Sequence, residues 1–332
     1  MIRIAVLGAG SWGTALAMQL LRSGTAAVLW GRNPEHISAM QAAGCNQRFL
    51  PDIPFPPGLV FEPSLERAVR SADEILVAVP SQAFVGIVRQ ISPWLKPGQG
   101  ICWACKGLEP GSGHFLHHAA QAHIGKERPM AVITGPSFAT EVADNLPTAV
   151  TVAGTDQDYC KRMAQALHGG NFRAYTSDDI IGAELGGSVK NVLAVATGIS
   201  DGMGLGNNAR AALITRGLAE MMRLGRVLGA LEHTLTGLAG MGDLVLTSTS
   251  DLSRNRRLGL ALGAGQSVQE AEAAIGQVVE GVSTAEEVWR LAQRHQVEMP
   301  ISEQINAIIH HGGDPYRSVR ELLAREQKPE RV

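Results

Sequence analysis

The sequence has no block of one charge. Its 29 Lys and Arg residues nearly balance 31 Asp and Glu, for a formal net charge of −2. That argues against nucleic acid as a partner, because a phosphate backbone is held by clustered cations. No uncharged run reaches the ~18 residues of a membrane span, so no membrane helix is expected. The opening Met-Ile-Arg-Ile runs into a glycine turn at position 8 and leaves no room for a signal peptide; a cytoplasmic protein is expected. Cysteine is scarce as well: Cys45, Cys102, Cys105 and Cys160 are all there are. Cys102 and Cys105 have C-x-x-C spacing, but no second pair completes a zinc site. Positions three apart in a strand also face opposite ways, so the pair is read as structural. His114, His117, His118 and His123 crowd one helical segment without an H-E-x-x-H motif or a carboxylate partner. They read as a polar helix face, and no metal is expected. Internal repeats and low-complexity segments are also missing.

What is plentiful is glycine, 38 residues in 332, well above the ~7% of an average protein. The most informative glycines are Gly8, Gly10 and Gly13, which follow the apolar run Ile4–Leu7 and open an Ala/Leu-rich helix. This G-x-G-x-x-G context is that of a dinucleotide site. Gly8 allows the sharp turn, Gly10 lets the backbone approach a pyrophosphate, and Gly13 lets helix and strand pack closely. The helix N-terminus then offers free N–H groups to phosphate.

A chain of this length suggests about two domains. Strand and helix signals alternate through the first half: strands over 2–7, 26–30, 74–79, 99–104, 130–134, 148–153 and 172–175, with helices between. Pro51 to Pro57 reads as a surface loop. Repeated β-α-β units predict a doubly wound, largely parallel α/β sheet of Rossmann type. From about Asp178 onward only helical periodicity remains. The expected division is therefore 1–178 for nucleotide binding and 179–332 for an all-α domain. The tail from Ala324, with Pro329, is expected to fray.

The usual NAD signature puts an acid after the second strand, on the ribose hydroxyls. That acid is missing here, where the sequence reads Trp30-Gly31-Arg32. Arg32 can pair with a 2′-phosphate or stack on adenine, which favours NADP or tolerance of both cofactors; an ordinary loop arginine is the alternative. Gly186 and Gly187 sit inside a helix at a cost of roughly 1 kcal/mol each. They lie on the face of Lys190, so they are expected to leave a hollow in front of its ammonium group for a small substrate. An exposed lysine near a packing contact is the alternative. Asp243 ends a glycine-rich turn and is read either as an orienting carboxylate or as a helix cap. Ser253 reads as an N-cap with Arg254 and Asn255 in the first turn. A cation at that dipole end is unfavourable unless an anion docks there, so a phosphate site is expected. Arg256 and Arg257 are read as solvated surface.

Taken together, these motifs resemble the bacterial NAD(P)-dependent glycerol-3-phosphate dehydrogenases over nearly the whole chain. The resemblance is carried by Gly8–Thr14, Lys106-Gly107, Ile133–Ala139, Lys190-Asn191, Gly240–Asp243, Ser253-Arg254-Asn255 and Val279-Glu280-Gly281. It departs at Cys105, where many relatives carry a hydroxyl residue. The resemblance implies reversible hydride transfer between NAD or NADP and dihydroxyacetone phosphate, giving sn-glycerol 3-phosphate for phospholipid synthesis. It implies Lys190 as proton donor or acceptor, with Lys106 and Asp243 beside it. Lys106, Gly135, Ser137, Lys190, Asp243, Ser253, Arg254 and Asn255 would bind substrate. Ser11, Trp12, Arg32, Lys106, Ala139, Arg254, Val278 and Glu280 would bind cofactor, and a homodimer is expected. A free lysine titrates near ~10.4; a second cation such as Lys106 is expected to lower that value, and Asp243 to orient the amine more than acidify it. Two rival readings are a hydroxy-acid dehydrogenase of similar layout, such as one acting on 6-phosphogluconate, and a nucleotide sensor without turnover.

Overall fold

The structure is a computed structural model, and it describes residues 2–326. The expected fraying of the tail concerns residues that lie mostly outside that range. The chain divides into two compact units. The first holds residues up to Cys105 and Leu116–Ile180, the second Lys106–Phe115 and everything from Ile181. Residues 106–115 were expected in the first unit. Leu108 and Phe115 instead bury themselves in the second unit's core, so the chain leaves the first unit after Cys105 and rejoins it at Leu116, the start of a helix.

The first unit alternates β1 (Arg3–Leu7), α1 (Ser11–Arg22), β2 (Ala26–Trp30), α2 (Pro34–Ala43), β3 (Cys45–Asn46), β4 (Leu50–Pro54), β5 (Val60–Phe61) and α3 (Leu65–Ser71). It continues with β6 (Glu74–Val77), α4 (Ser81–Ile91), β7 (Ile101–Trp103), α5 (Leu116–Ile124), β8 (Met130–Thr134), α6 (Ala139–Ala143), β9 (Thr148–Gly154), α7 (Gln157–Leu167) and β10 (Phe172–Ser177). Eight strands form one sheet in the order β10-β9-β8-β7-β6-β1-β2-β5. All pairings are parallel except β8 with β9. Both faces are covered, so β1 and β6 are almost wholly buried and read as unbroken apolar runs. From β1 the chain runs to β2 on one side and later to β6 on the other. The loop after β1 therefore opens at the switch point, where ligands bind in such sheets. The proline-rich stretch expected to be a loop contains β4, which pairs antiparallel with β3; its prolines sit at an edge, where missing N–H donors cost little.

The second unit is helical: α8 (Ile180–Gly202), α9 (Gly206–Leu228), α10 (Glu232–Thr236), a π-helical turn at Leu238–Gly242, α11 (Asp243–Thr249), α12 (Arg254–Gly263), α13 (Val268–Ile275), α14 (Glu280–Arg294), α15 (Pro300–His310) and α16 (Pro315–Leu323). Helix α8 is buried nearly all round, as a central helix must be. Gly198 and Gly202 on α8 face Gly259 and Gly263 on α12 so closely that a Cβ on any of them would strike the other helix's backbone. That contact fixes α12 against the C-terminal turns of α8. No described helix is long and apolar enough to cross a membrane.

Candidate active site

In the first unit, the loop after β1 has the form its glycines predict. Gly8 has φ +129°, and a Cβ there would strike the Ala78 carbonyl. A Cβ on Gly13 would strike the Gly8 carbonyl, whereas nothing lies within 4 Å of one on Gly10. So Gly8 and Gly13 are required by packing, and Gly10 keeps the mouth of the loop open. Helix α1 begins at Ser11 with no side-chain cap and no acid in its first turn, leaving its N–H groups and positive end available to an anion. The Trp12 indole nitrogen beside them is buried without a partner. Asn46 props the loop from β3, donating to the Ala9 carbonyl at 3.2 Å and to Thr14 Oγ1 at 2.9 Å. Sequence reasoning missed Asn46, because β3 is only two residues long.

The missing acid after β2 has a packing reason: a Cβ on Gly31 would lie 2.8 Å from both Ala9 Cβ and Ile37 Cδ1. Arg32 next to it is exposed. After β8, Gly135 has φ +120°, and Ser137 Oγ donates to its carbonyl at 2.9 Å. Ala139 opens α6. The His117 and His118 rings lie against each other at a tilt of 51°, with centroids 4.0 Å apart, and His117 is buried.

In the second unit, two expected lysines converge on a third expected residue, a carboxylate. Asp243 accepts from Lys190 Nζ at 3.0 Å through Oδ1 and from Lys106 Nζ at 2.7 Å through Oδ2. Lys190 also donates to Thr247 Oγ1 at 2.9 Å. Asp243 and Lys190 are buried, and Lys106 keeps 16% of its side chain exposed, enough to meet a ligand. Asp243 is no helix cap: the π turn carries the chain into α11 and leaves its carboxylate to the two lysines. Thr247 follows four residues later on the same face. Recognising α11 in the sequence would have revealed it.

The Gly186 expectation is corrected here. A Cβ at Gly186 would strike the Ala239 carbonyl and lie 3.0 Å from Gly240 Cα. The glycine makes no hollow; it lets α8 lie against the turn that delivers Asp243 to Lys190. The lowering of Lys190 that Lys106 was expected to cause is present, but as a smaller influence than burial. Burial is the largest influence on Lys190; Asp243 opposes it, Lys106 and Arg254 act with it, and the amine ends at about 8. Burial would raise Asp243, but Lys106 and Lys190 outweigh it and hold the carboxyl below its ordinary value.

The start of α12 closes the cluster. Ser253 is the N-cap, accepting from the Arg256 N–H. Arg254 donates to the Val278 carbonyl at 2.6 Å and feels Glu280 electrostatically, so part of its conflict with the helix dipole is relieved within the chain. Asn255 is committed to structure: it donates to Asn191 Oδ1 at 2.9 Å and accepts from the Gly281 N–H at 2.8 Å. Asn191 in turn donates to the Lys106 carbonyl at 3.1 Å. Arg257 is exposed as expected, but Arg256 is buried on Asp201 and Asp251. Its long side chain reaches acids that lie outside its own turn.

A buried carboxylate between two lysines, with a third cation in electrostatic reach, suits proton transfer next to a bound anion. Comparisons with known proteins identify the family. Models of the N- and C-terminal parts of NAD-dependent glycerol-3-phosphate dehydrogenase match residues 3–160 and 179–320. A glycerol-3-phosphate dehydrogenase [NAD(P)+] of Stenotrophomonas maltophilia is 57% identical over 328 residues, 99% of this chain and 96% of that protein. The crystal structure of glycerol-3-phosphate dehydrogenase from Coxiella burnetii superposes with a TM-score of 0.94 at 51% identity, covering 98% of this chain and 99% of that one. The yeast enzyme, at 24% identity and a TM-score of 0.83, shares the fold over 98% of this chain and 99% of its own. This chain belongs to the NAD-dependent glycerol-3-phosphate dehydrogenase family.

Proposed function

We propose that the protein reversibly reduces dihydroxyacetone phosphate to sn-glycerol 3-phosphate with NADPH or NADH, acts in the cytoplasm as a homodimer, and supplies glycerol phosphate for phospholipid synthesis. The single observation that carries the reaction is the buried Lys190–Asp243–Lys106 cluster. The first unit fits a dinucleotide: an open Gly10, an uncapped α1 start at Ser11 and Trp12, and an unpartnered indole N–H. Arg32, Ala139, Val278 and Glu280 complete the proposed cofactor set. When bound, the nicotinamide gives or takes the hydride. Lys190 Nζ gives a proton to the carbonyl oxygen as charge develops there, and takes it back in oxidation. Its lowered basicity makes both protonation states accessible near neutral pH. Asp243 keeps Lys190 aimed and offsets part of the positive charge; Thr247 fixes the amine from the other side. Lys106, Arg254 and the Ser253 turn supply the positive field that a phosphate needs, and Gly135 and Ser137 complete the proposed substrate set. Asn255 contributes by holding Asn191 and Gly281 in place. The test is oxidation of NADPH and of NADH with dihydroxyacetone phosphate against unphosphorylated dihydroxyacetone. Turnover confined to the phosphorylated ketone supports the reading; equal turnover of both, or of neither, sinks it.

A further inference from the structure

We propose that Glu287 is a positioning residue: by tying segment 106–115 to α14, it sets where the Lys106 ammonium stands against Asp243. Lys106 lies on no helix or strand of its own. Its place depends on how the ten-residue excursion is fastened. Glu287 Oε1 accepts from the Gly111 N–H at 2.7 Å. Arg290 donates to the Gly111 carbonyl at 2.7 Å, and Arg294 to the Ser112 carbonyl. These three residues share one face of α14, at positions i, i+3 and i+7. Glu287 is buried, while the two arginine contacts are exposed, so the carboxylate is the inner tie. The excursion is closed on itself by Glu109 N–H to the His114 carbonyl at 2.8 Å, which lets it be held as one piece. The first turn of α14 grips the same excursion from its other end, through Gly281, Asn255, Asn191 and the Lys106 carbonyl. One helix thus holds the segment that carries the lysine both at Lys106 and at Gly111–Ser112. A carboxylate buried only to support a remote fold element would be an expensive way to fill space; its bond to this segment gives it a purpose.

The inference rests on the reading of Lys106 as part of the reaction site. The experiment compares wild type, E287A, E287Q, K106M and the double variant E287A/K106M, by kcat/KM across pH and by hydrogen exchange. E287A is expected to lower kcat/KM about 10- to 100-fold, the scale of a slightly misplaced catalytic group. It is also expected to move the alkaline limb of the reduction upward, since a displaced Lys106 no longer lowers Lys190 as strongly. E287Q retains an acceptor for the Gly111 N–H and should retain most of the activity with the limb in place. In K106M, adding E287A should change little. Amides of 106–112 should exchange faster in E287A while those of α15 do not. An equal fall in both backgrounds, or an unmoved limb, would overturn the inference and leave Glu287 a fold residue. If E287A does not fold, R290A/R294A, which cuts the two outer ties, takes its place in the same comparison. An inactive wild type would overturn the proposed reaction instead, and unchanged exchange over 106–112 would then be the result that overturns the tie.

Discussion

Lys190 decides the chemistry, and its environment predicts how the two reaction directions differ. The reduction needs the ammonium form and the oxidation the free amine. With the amine lowered to about 8, kcat/KM for ketone reduction should fall as pH rises through that value. Oxidation of glycerol phosphate should fall as pH drops through it. Lys190→Met keeps most of the volume and removes both limbs, with a loss in kcat of at least ~10²–10⁴-fold; a folded mutant near wild-type turnover would end the assignment. Arg32 gives a second test at this scale. It is exposed, so pairing with a 2′-phosphate should be worth on the order of 1 kcal/mol and should weaken with salt. Arg32→Ala should therefore raise KM for NADPH several-fold and for NADH less. Equal losses would mean that Arg32 stacks on adenine without reading the phosphate. The packing around Gly31 explains why no acid stands there to prefer NADH.

At the scale of elements, close backbone contacts bring the site residues together. Gly259→Ala on α12 should be destabilising by about 1–3 kcal/mol, because the neighbours it meets are backbone atoms of α8 that cannot yield easily. Gly86 on α4 has open space around it, so Gly86→Ala should raise stability by up to about 1 kcal/mol through helix propensity alone. Thermal unfolding of the two mutants, moving in opposite directions, checks the distinction. The same contrast explains what the sequence revealed. The long periodic elements and the glycine loop after β1 were legible because their signals are local: unbroken apolar strands, an Ala/Leu helix, Pro34 at a helix start. The π turn and α11 were not, since a short glycine-rich run gives no period to read. Nor was the purpose of Gly186, because a helix that needs glycine for a hollow and one that needs it for a close approach look alike in sequence. Lys106 was named from motif alone. That its segment packs with the helices is a matter of topology, with no trace in residues 106–115 beyond the apolar Leu108 and Phe115. Arg256 was misread for the related reason that its acid partner Asp201 lies 55 residues away.

For the whole molecule, the two units have separate hydrophobic cores, and their buried titratable groups differ in kind. In the first unit, burial pushes the Cys102 thiol and the Tyr159 phenol well up, and the Cys160 thiol up to about 11. Unfolding exposes these groups, which then ionise from roughly pH 8.5 for thiols and ~10 for the phenol. Between those values and their folded ones, the folded state binds more protons than the unfolded, so the first unit loses stability as pH rises. The second unit holds Lys190, lowered to about 8. Between pH 8 and ~10.5 its folded state binds fewer protons than the unfolded chain, so this group adds stability as pH rises. Calorimetry at pH 7.5 and 9.5 should therefore show the first unit's transition moving down, with the second unit's held or moving up. Saturating NADPH should raise the first, by about 2.7 kcal/mol at a hundred times Kd. Lys190→Met should abolish the alkaline gain of the second transition and leave the first unit's loss untouched. Cys102→Ala should do the reverse, reducing the first unit's alkaline loss after allowance for the small cavity it leaves. If both transitions fall together between these pH values in the wild type, and Lys190→Met changes neither, then Lys190 is not held in its neutral form by the fold, and the proton-transfer role built on that lowered basicity loses its support.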